Sequence, residues 1–535
     1  MPRLALFLLL GALNLCARAQ SEFVNLHWPY DLQVDYLEGL LYESTALSSL
    51  AADCVTRNDS TVSAQWIRIG YHDMSTHNIA DRTGGLDASI RFELDRPENV
   101  GVGMRKSLED FIALLTPFAS MADLIAMGVT LGYPSCGNGP FVPYRAGRID
   151  ASAAGPPGVP EPQQDIQTHI AKFAAQGFNQ EEMIGLVACG HALGGVRKQD
   201  FDITGNQTFG LFHGSQTYDI SVVTGYLDST TPNPLVTGTN DTLKSDLRIF
   251  SSDGNATMKG LADKTTFDQT CTNLIERMIN TVPSNVKLTD PIQPIQNKIG
   301  KTRLFVSSDA DNQLVLTTSL RLLNQKTNAN RNITLFYSSK QSEQTFSVAS
   351  SGHGPLGSRG GNGFSLKGIP AEFWGFSVPN INSTTSISKF WFEIDENDGS
   401  DKAIVDNDGD GFVIEQDEVL FDVQRSQITS LPDAPASGEE SLSIKVVVGV
   451  RSDKQSSLAK LYVDWFDSFH LDFVSTTGEV DLSEDSSIPS ESGYIFYSGT
   501  IEKASVATSF NVHAEFSSGE NIEIKYVDSL REIQG

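Results

Sequence analysis

The sequence predicts a multidomain chain: a mainly α-helical part over residues 20–285, a linker at 286–300, and an all-β, sandwich-like part over 301–535. Three observations predict it. At 535 residues the chain is too long for one ordinary core. Up to about residue 285, apolar residues recur at helical spacing, as in Leu108, Ile112, Leu115, Leu124 and Met127. From Lys301 onward, polar and β-branched residues alternate, as in Arg303-Leu304-Phe305-Val306 and Ser443-Ile444-Lys445-Val446, with Gly, Ser and Asn clusters between the runs.

Taken in order, the first 19 residues read as a secretory leader. Arg3 is followed by an apolar run from Leu4 to Leu15, and Ala17-Arg18-Ala19 forms an A-x-A cleavage site before Gln20. The stretch is too short to span a bilayer. Helices are expected over Thr61–Met74, opened by Asp59 or Ser60, and over Met104–Leu131, Asp165–Ala175, Gln180–Cys189 and Thr266–Thr281. Ser152 to Gln164 is rich in Pro, Gly and Ala and reads as a surface loop. Pro291 and Pro294 mark the linker, and Lys389-Phe390-Trp391-Phe392 is a further strand in the second half.

With 66 acidic and 39 basic residues, the net charge is −27. That argues against nucleic acid and anionic membrane partners, which call for basic patches. Six N-x-Ser/Thr triplets, at Asn58, Asn206, Asn240, Asn255, Asn332 and Asn382, agree with export and glycosylation. Without the leader, Cys54, Cys136, Cys189 and Cys271 remain, an even number for which three pairings are open.

The chemistry is concentrated in two places. Arg68 and His72 lie four residues apart on an expected helix and so share one face. Far downstream, His191 stands alone in Gly190-His191-Ala192-Leu193-Gly194-Gly195. A base beside a cation, with a second histidine to serve as axial ligand, is what a haem needs to meet peroxide. Peroxide heterolysis calls for a base that carries a proton between the two oxygens and a cation that stabilises departing charge. His72 suits the first role, Arg68 the second, and Asn99 offers an amide to hold the other imidazole nitrogen.

Over roughly residues 40–285 the chain resembles the plant, fungal and bacterial haem peroxidase superfamily. Arg68, Tyr71 and His72 match the family's distal Arg, aromatic and His, and Asn99 its distal Asn. Gly139-Pro140-Phe141-Val142-Pro143-Tyr144 and Gly147-Arg148-Ile149-Asp150 resemble the stretch between the two halves. Val187 to Gly194 resembles the proximal motif, and Tyr218-Asp219, followed later by Ser245-Asp246, resembles the segment beyond it. The resemblance implies haem b on His191, with Asp219 accepting from the His191 Nδ1–H. It implies Ca²⁺ on Asp73, Gly85, Asp87 and Ser89. It also implies disulfides Cys54–Cys136 and Cys189–Cys271.

Departures from the family pattern are informative. Ala192 stands where secreted members carry Ser or Thr, which removes a ligand of their second calcium site. The stretch from His191 to Asp219 is shorter than usual. No Trp lies between Trp66 and Trp374, which argues against a proximal Trp radical and a surface Trp relay. Phe201, Phe209 or Phe212 is expected against the proximal haem face.

In the second half, Asp406, Asp408 and Asp410 with Gly411 copy the start of a calcium loop, but Asp417 stands at position twelve and strands flank it. An acidic turn is the plainer reading, with a second calcium as the alternative. Trp374, Phe376, Trp391 and Trp465 read as core aromatics, with a cell-wall or glycan-binding face as the alternative. The layout resembles hybrid-type fungal haem peroxidases with a C-terminal extension. The expected function is a secreted peroxidase that uses hydrogen peroxide and oxidises small phenolic or similar reductants. The alternatives are a catalase-like or peroxygenase haem enzyme, and a non-enzymatic wall protein.

Overall fold

A computed structural model describes residues 23–43, 50–201, 207–308, 313–323, 328–341, 344–355, 371–435 and 437–533. The expected leader and the Asn206 triplet lie outside the described residues. Among those residues the first half holds seven helices of ten or more residues: α1 (Leu32–Tyr42), α2 (Val62–Met74), α3 (Val102–Ile112), α4 (Met121–Ser135), α5 (Ile166–Ala175), α6 (Gln180–Gly190) and α7 (Lys264–Ile279).

Local chemistry sets the ends. Thr61, rather than Asp59 or Ser60, caps α2 by accepting from the Ala64 N–H. The single helix expected over Met104–Leu131 is two helices. Pro117 cannot continue a helix, and Ser120 opens α4 by accepting from the Asp123 N–H at 3.0 Å. Asn179 and Glu182 form a reciprocal capping box at the start of α6. Its C-cap is His191.

The helices close around one apolar cluster that includes Trp66, Phe111, Leu124 and Phe267. Behind Arg68 and His72, α2 meets α4 at Gly70, where an added Cβ would come within 2.4 Å of the Val129 side chain. Disulfides join Cys54 to Cys136 and Cys189 to Cys271. The second ties α6 to α7 two residues before His191.

Among the described residues, the second half forms four antiparallel sheets. The first joins Gly352–Pro355, Ala371–Asn382, Gln313–Leu323 and Asn297–Ile299, with Arg303–Val306 also on Gln313–Leu323. The expected linker therefore already contains a strand, Asn297–Ile299. The second sheet is built on Lys389–Asp395 and Asn332–Ser338, the third on Leu442–Arg451 and Tyr494–Ala504, and the fourth on Leu458–Asp467 and Thr508–Phe516. Period-2 burial is plain along Gln313–Leu323, whose alternate residues point into an apolar cluster shared with the second sheet. The third and fourth sheets share another cluster.

Contacts join the halves at several places. Glu38 of α1 is fully buried between Lys298 and Arg321, with Lys298 Nζ to Oε2 at 2.9 Å and Arg321 Nη2 to Oε1 at 2.5 Å. Separately, the loop after Leu458–Asp467 reaches into the helical half. Phe473 is buried in the helical cluster, and Ser468 Oγ donates to the Ile112 carbonyl at 2.5 Å.

Candidate active site

Arg68 and His72 project from α2 into a cavity of about 280 Å³, and His191 and Phe212 line the same cavity. His72 Nδ1 lies 2.8 Å from Asn99 Oδ1. The Asn99 amide is itself oriented, since its Nδ2 donates to the Glu93 carbonyl at 3.0 Å. Its oxygen must therefore accept, so Nδ1 carries the proton and Nε2 holds a lone pair. No hydrogen bond occupies that Nε2 among the described residues. Burial, then the Arg68 charge, push the His72 pKa down from 6.5 to about 3, against the Asn99 bond. Burial lowers the Arg68 pKa to about 10, which leaves it cationic at neutral pH.

His191 is held in the same manner. Its Nδ1 donates to Asp246 Oδ2 at 2.7 Å, and Nε2 has no hydrogen-bond partner among the described residues. Asp246 is buried on the short helix Ser245–Phe250. This corrects the expected partner, Asp219. Asp219 instead makes local backbone bonds. Its carboxylate accepts from the Ser221 N–H at 2.7 Å, and its own N–H donates to the Ala192 carbonyl at 2.8 Å. The Ser245-Asp246 run was visible in the sequence, and the short span from His191 to Asp219 was the signal against the nearer aspartate.

Of the three phenylalanines considered for the proximal face, Phe212 stacks on the His191 ring at 3.9 Å and 13°. Phe201 also lines the cavity, while Phe209 lies against Gly195. Tyr71 lines the cavity and stacks on Phe173 at 5.7 Å. Its phenol donates to Gln176 Oε1 at 3.3 Å, and burial pushes its pKa up. Asp200 sits beside Arg68 at Gly101, whose φ of 107° and 2.6 Å clearance to Asp200 Oδ2 call for glycine.

Next to His72, Asp73 is fully buried, and its carboxylate accepts from the Ala88 N–H at 2.7 Å and the Ile90 N–H at 2.9 Å. Burial and the neighbouring Asp87 raise its pKa. The Ser89 hydroxyl is buried without a hydrogen-bond partner. Gly85 places its carbonyl 3.4 Å from the Thr76 hydroxyl. Among the described residues no group of three or more His, Cys, Asp and Glu is gathered for a metal.

The Asp406 loop does not follow the calcium-loop pattern beyond its first residues. It joins strands Ala403–Val405 and Phe412–Val413, so no helices flank it. Asp406 accepts from the Gly409 N–H at 3.1 Å, Asp410 pairs with His27 at 3.5 Å, and Asp408 is exposed. Asp417, at position twelve, is buried between Lys340 at 2.8 Å and Arg451 at 3.1 Å, which leaves it no free charge for an ion. The loop is an acidic turn, and Asn407 pins it by bonding the backbone of Trp28. Trp374 and Phe376 are buried core residues; Trp391 stacks on Phe336, and Trp465 covers Gly478.

Comparison with known proteins agrees with this geometry. The family described as "Peroxidase" matches residues 48–328, just over half of the chain. The chain belongs to the peroxidase family. A WSC domain-containing protein of Arthroderma benhamiae is 39% identical over 53% of this chain and 41% of its own length. A peroxisomal L-ascorbate peroxidase of Arabidopsis thaliana is 27% identical over 37% of this chain and 71% of its own. A mitochondrial cytochrome c peroxidase of Cryptococcus neoformans is 30% identical over 28% and 41%, respectively. The chain thus spans less than half the length of the first and third of these relatives. No helix among its described residues is long and apolar enough to cross a membrane.

Proposed function

We propose that this chain is a secreted haem b peroxidase that reduces hydrogen peroxide and oxidises small phenols or similar donors in one-electron steps. One observation carries the reading. Of the histidines that border one largely apolar cavity, His72 and His191 each have Nδ1 held by an oxygen acceptor and no partner on Nε2 among the described residues, and Arg68 stands beside His72. The residues fit a haem. His191, with Nδ1 held by the Asp246 carboxylate, would hold the iron through Nε2, and the apolar lining suits the macrocycle. Bound there, the haem would supply the redox centre that passes electrons from the donor to peroxide.

The chain's own residues supply the rest. His72 Nε2 takes the proton from one peroxide oxygen and returns it to the other. Arg68 offsets the negative charge that develops as the O–O bond opens. The low pKa of His72 keeps it a base in acid media, where an ordinary imidazole would be charged.

The second part of the reading is one Ca²⁺ on Asp73, Asp87, Ser89 and the Gly85 carbonyl. Two buried carboxylates that repel one another and a buried, unpartnered hydroxyl suit a hard cation. Secretion rests on the leader-like sequence and agrees with two disulfides, which persist in oxidising compartments. Contact with wall polymers or glycans through the β-rich half belongs to the same picture.

The test is a visible spectrum of the full chain from Gln20, followed by one equivalent of hydrogen peroxide and then a phenol. A Soret band that shifts with peroxide and returns with the phenol supports the reading. Rapid oxygen release without a donor would favour a catalase-like enzyme, and a chain that takes up no haem would end the proposal.

A further inference from the structure

Asn233 belongs to none of the motifs above, yet it reaches the same carboxylate as His191. It is buried, and its Nδ2 donates to Asp246 Oδ2 at 2.7 Å. The same oxygen accepts from His191 Nδ1 at 2.7 Å. Its backbone N–H donates to Thr231 Oγ at 3.2 Å, and that hydroxyl donates to the Phe212 carbonyl at 3.4 Å. Phe212 is the ring stacked on His191. Thr231 and Asn233, both buried, therefore fasten the two groups that touch the His191 imidazole.

The side chain divides its work between two atoms. Oδ1 accepts from the Leu235 N–H at 2.9 Å and caps the short helix Pro234–Thr237. Capping needs only an oxygen. The Nδ2–H bond to Asp246 is not needed for the cap.

We propose that Asn233 is a positioning residue that sets how strongly Asp246 polarises His191. A carboxylate oxygen that accepts two N–H bonds gives less electron density to each. The Asn233 bond therefore weakens the pull of Asp246 on the His191 proton and holds the imidazole closer to neutral. With that bond removed, Asp246 pulls harder, His191 becomes more imidazolate-like, and it favours ferric over ferrous iron. The inference rests on the reading that His191 binds haem iron through Nε2.

Asn233→Ser and Asn233→Thr both keep a capping oxygen and lose the amide donor. Each would be prepared as the full haem-loaded chain beside the wild type. Two quantities would be read: the ferric/ferrous reduction potential and the Fe–His stretching frequency of the ferrous form by resonance Raman. In both variants the potential is expected to move in the negative direction and the stretch to a higher frequency. A purely structural role would move the melting temperature and leave both readouts in place. Variants that load haem fully and keep the wild-type potential and stretch overturn the proposal. A wild-type chain that takes up haem but shows no Fe–His stretch overturns the ligand assignment, and the proposal with it.

Discussion

Replacing His72 with Leu removes the neutral base next to Arg68 and leaves His191 untouched. The rate of reaction with peroxide is expected to fall by about 10²–10⁴-fold, the usual worth of a positioned acid–base group. Haem uptake should not change, and stopped-flow mixing with peroxide measures the rate. The same imidazole predicts how the haem-free chain responds to acid. Its folded pKa is about 3 against an ordinary 6.5, so the unfolded chain takes the proton first. This contribution to stability is complete above pH 6.5 and is lost progressively as the pH falls toward 3. A second comparison separates the two candidate aspartates. Asp246→Asn should cost about 10–100-fold in activity, as loss of a ligand's supporting carboxylate does elsewhere. Asp219→Asn should leave activity unchanged, because the Asp219 carboxylate bonds Ser221 and not His191. Equal losses in the two variants would refute the assignment. Arg68, His72 and His191 were legible because their spacing and residue types are nearly self-explanatory. The choice between Asp219 and Asp246 was not, since both are plausible acceptors and only the fold brings one of them to Nδ1.

Single elements carry two further predictions. The first concerns α1. Glu38 holds its charge in a fully buried place only because Lys298 and Arg321 face it, and these cations lower its pKa in spite of burial. Arg321→Met would break the network and cost about 3–5 kcal/mol, the range for removing one partner of a buried pair. The sign with pH follows from the lowered carboxyl pKa: the contribution is present above the ordinary value of 4.5 and disappears as the pH drops below it. The wild-type advantage over Arg321→Met should therefore shrink in acid, as denaturant melts at pH 7 and pH 3 would show. The second concerns the turn at residues 85–92. Chelation should lower the melting temperature more at pH 7 than near pH 4. The Asp73 pKa is raised in the metal-free fold, so at low pH a proton does part of the cation's work. A melting temperature indifferent to chelator at both pH values would remove calcium from the reading. Helix α2 was legible from its periodicity. The break between α3 and α4 was missed because the apolar spacing runs on through Pro117, and periodicity alone does not register a lost N–H.

At the scale of the whole molecule, the two halves are not beads on a string. The strand alternation announced a β-rich second half, and burial along Gln313–Leu323 follows it. What alternation leaves silent is where a sheet's loops go. Phe473 is 2% exposed, yet its contacts lie in the helical cluster, where Phe466 and Phe469 also pack. Arg91 donates to the Phe473 carbonyl at 3.4 Å and to the Ala151 carbonyl at 2.7 Å, and the Ala151 N–H donates to the Asp87 carbonyl at 2.7 Å. The β-rich half is thereby connected, bond by bond, to the turn beside His72. Cutting the chain after residue 285 would uncover these apolar groups and leave Glu38 facing no cation. One lost buried pair and one uncovered aromatic already cost several kcal/mol, a large share of the roughly 5–15 kcal/mol that holds most domains folded. The truncated helical half is therefore expected to aggregate or to melt well below the full chain, and to take up haem poorly. Phe473→Ala in the full chain tests the same connection more gently, at about 3–5 kcal/mol. If residues 20–285 alone melted at the full-chain temperature and took up haem normally, the β-rich half would have no part in holding the site.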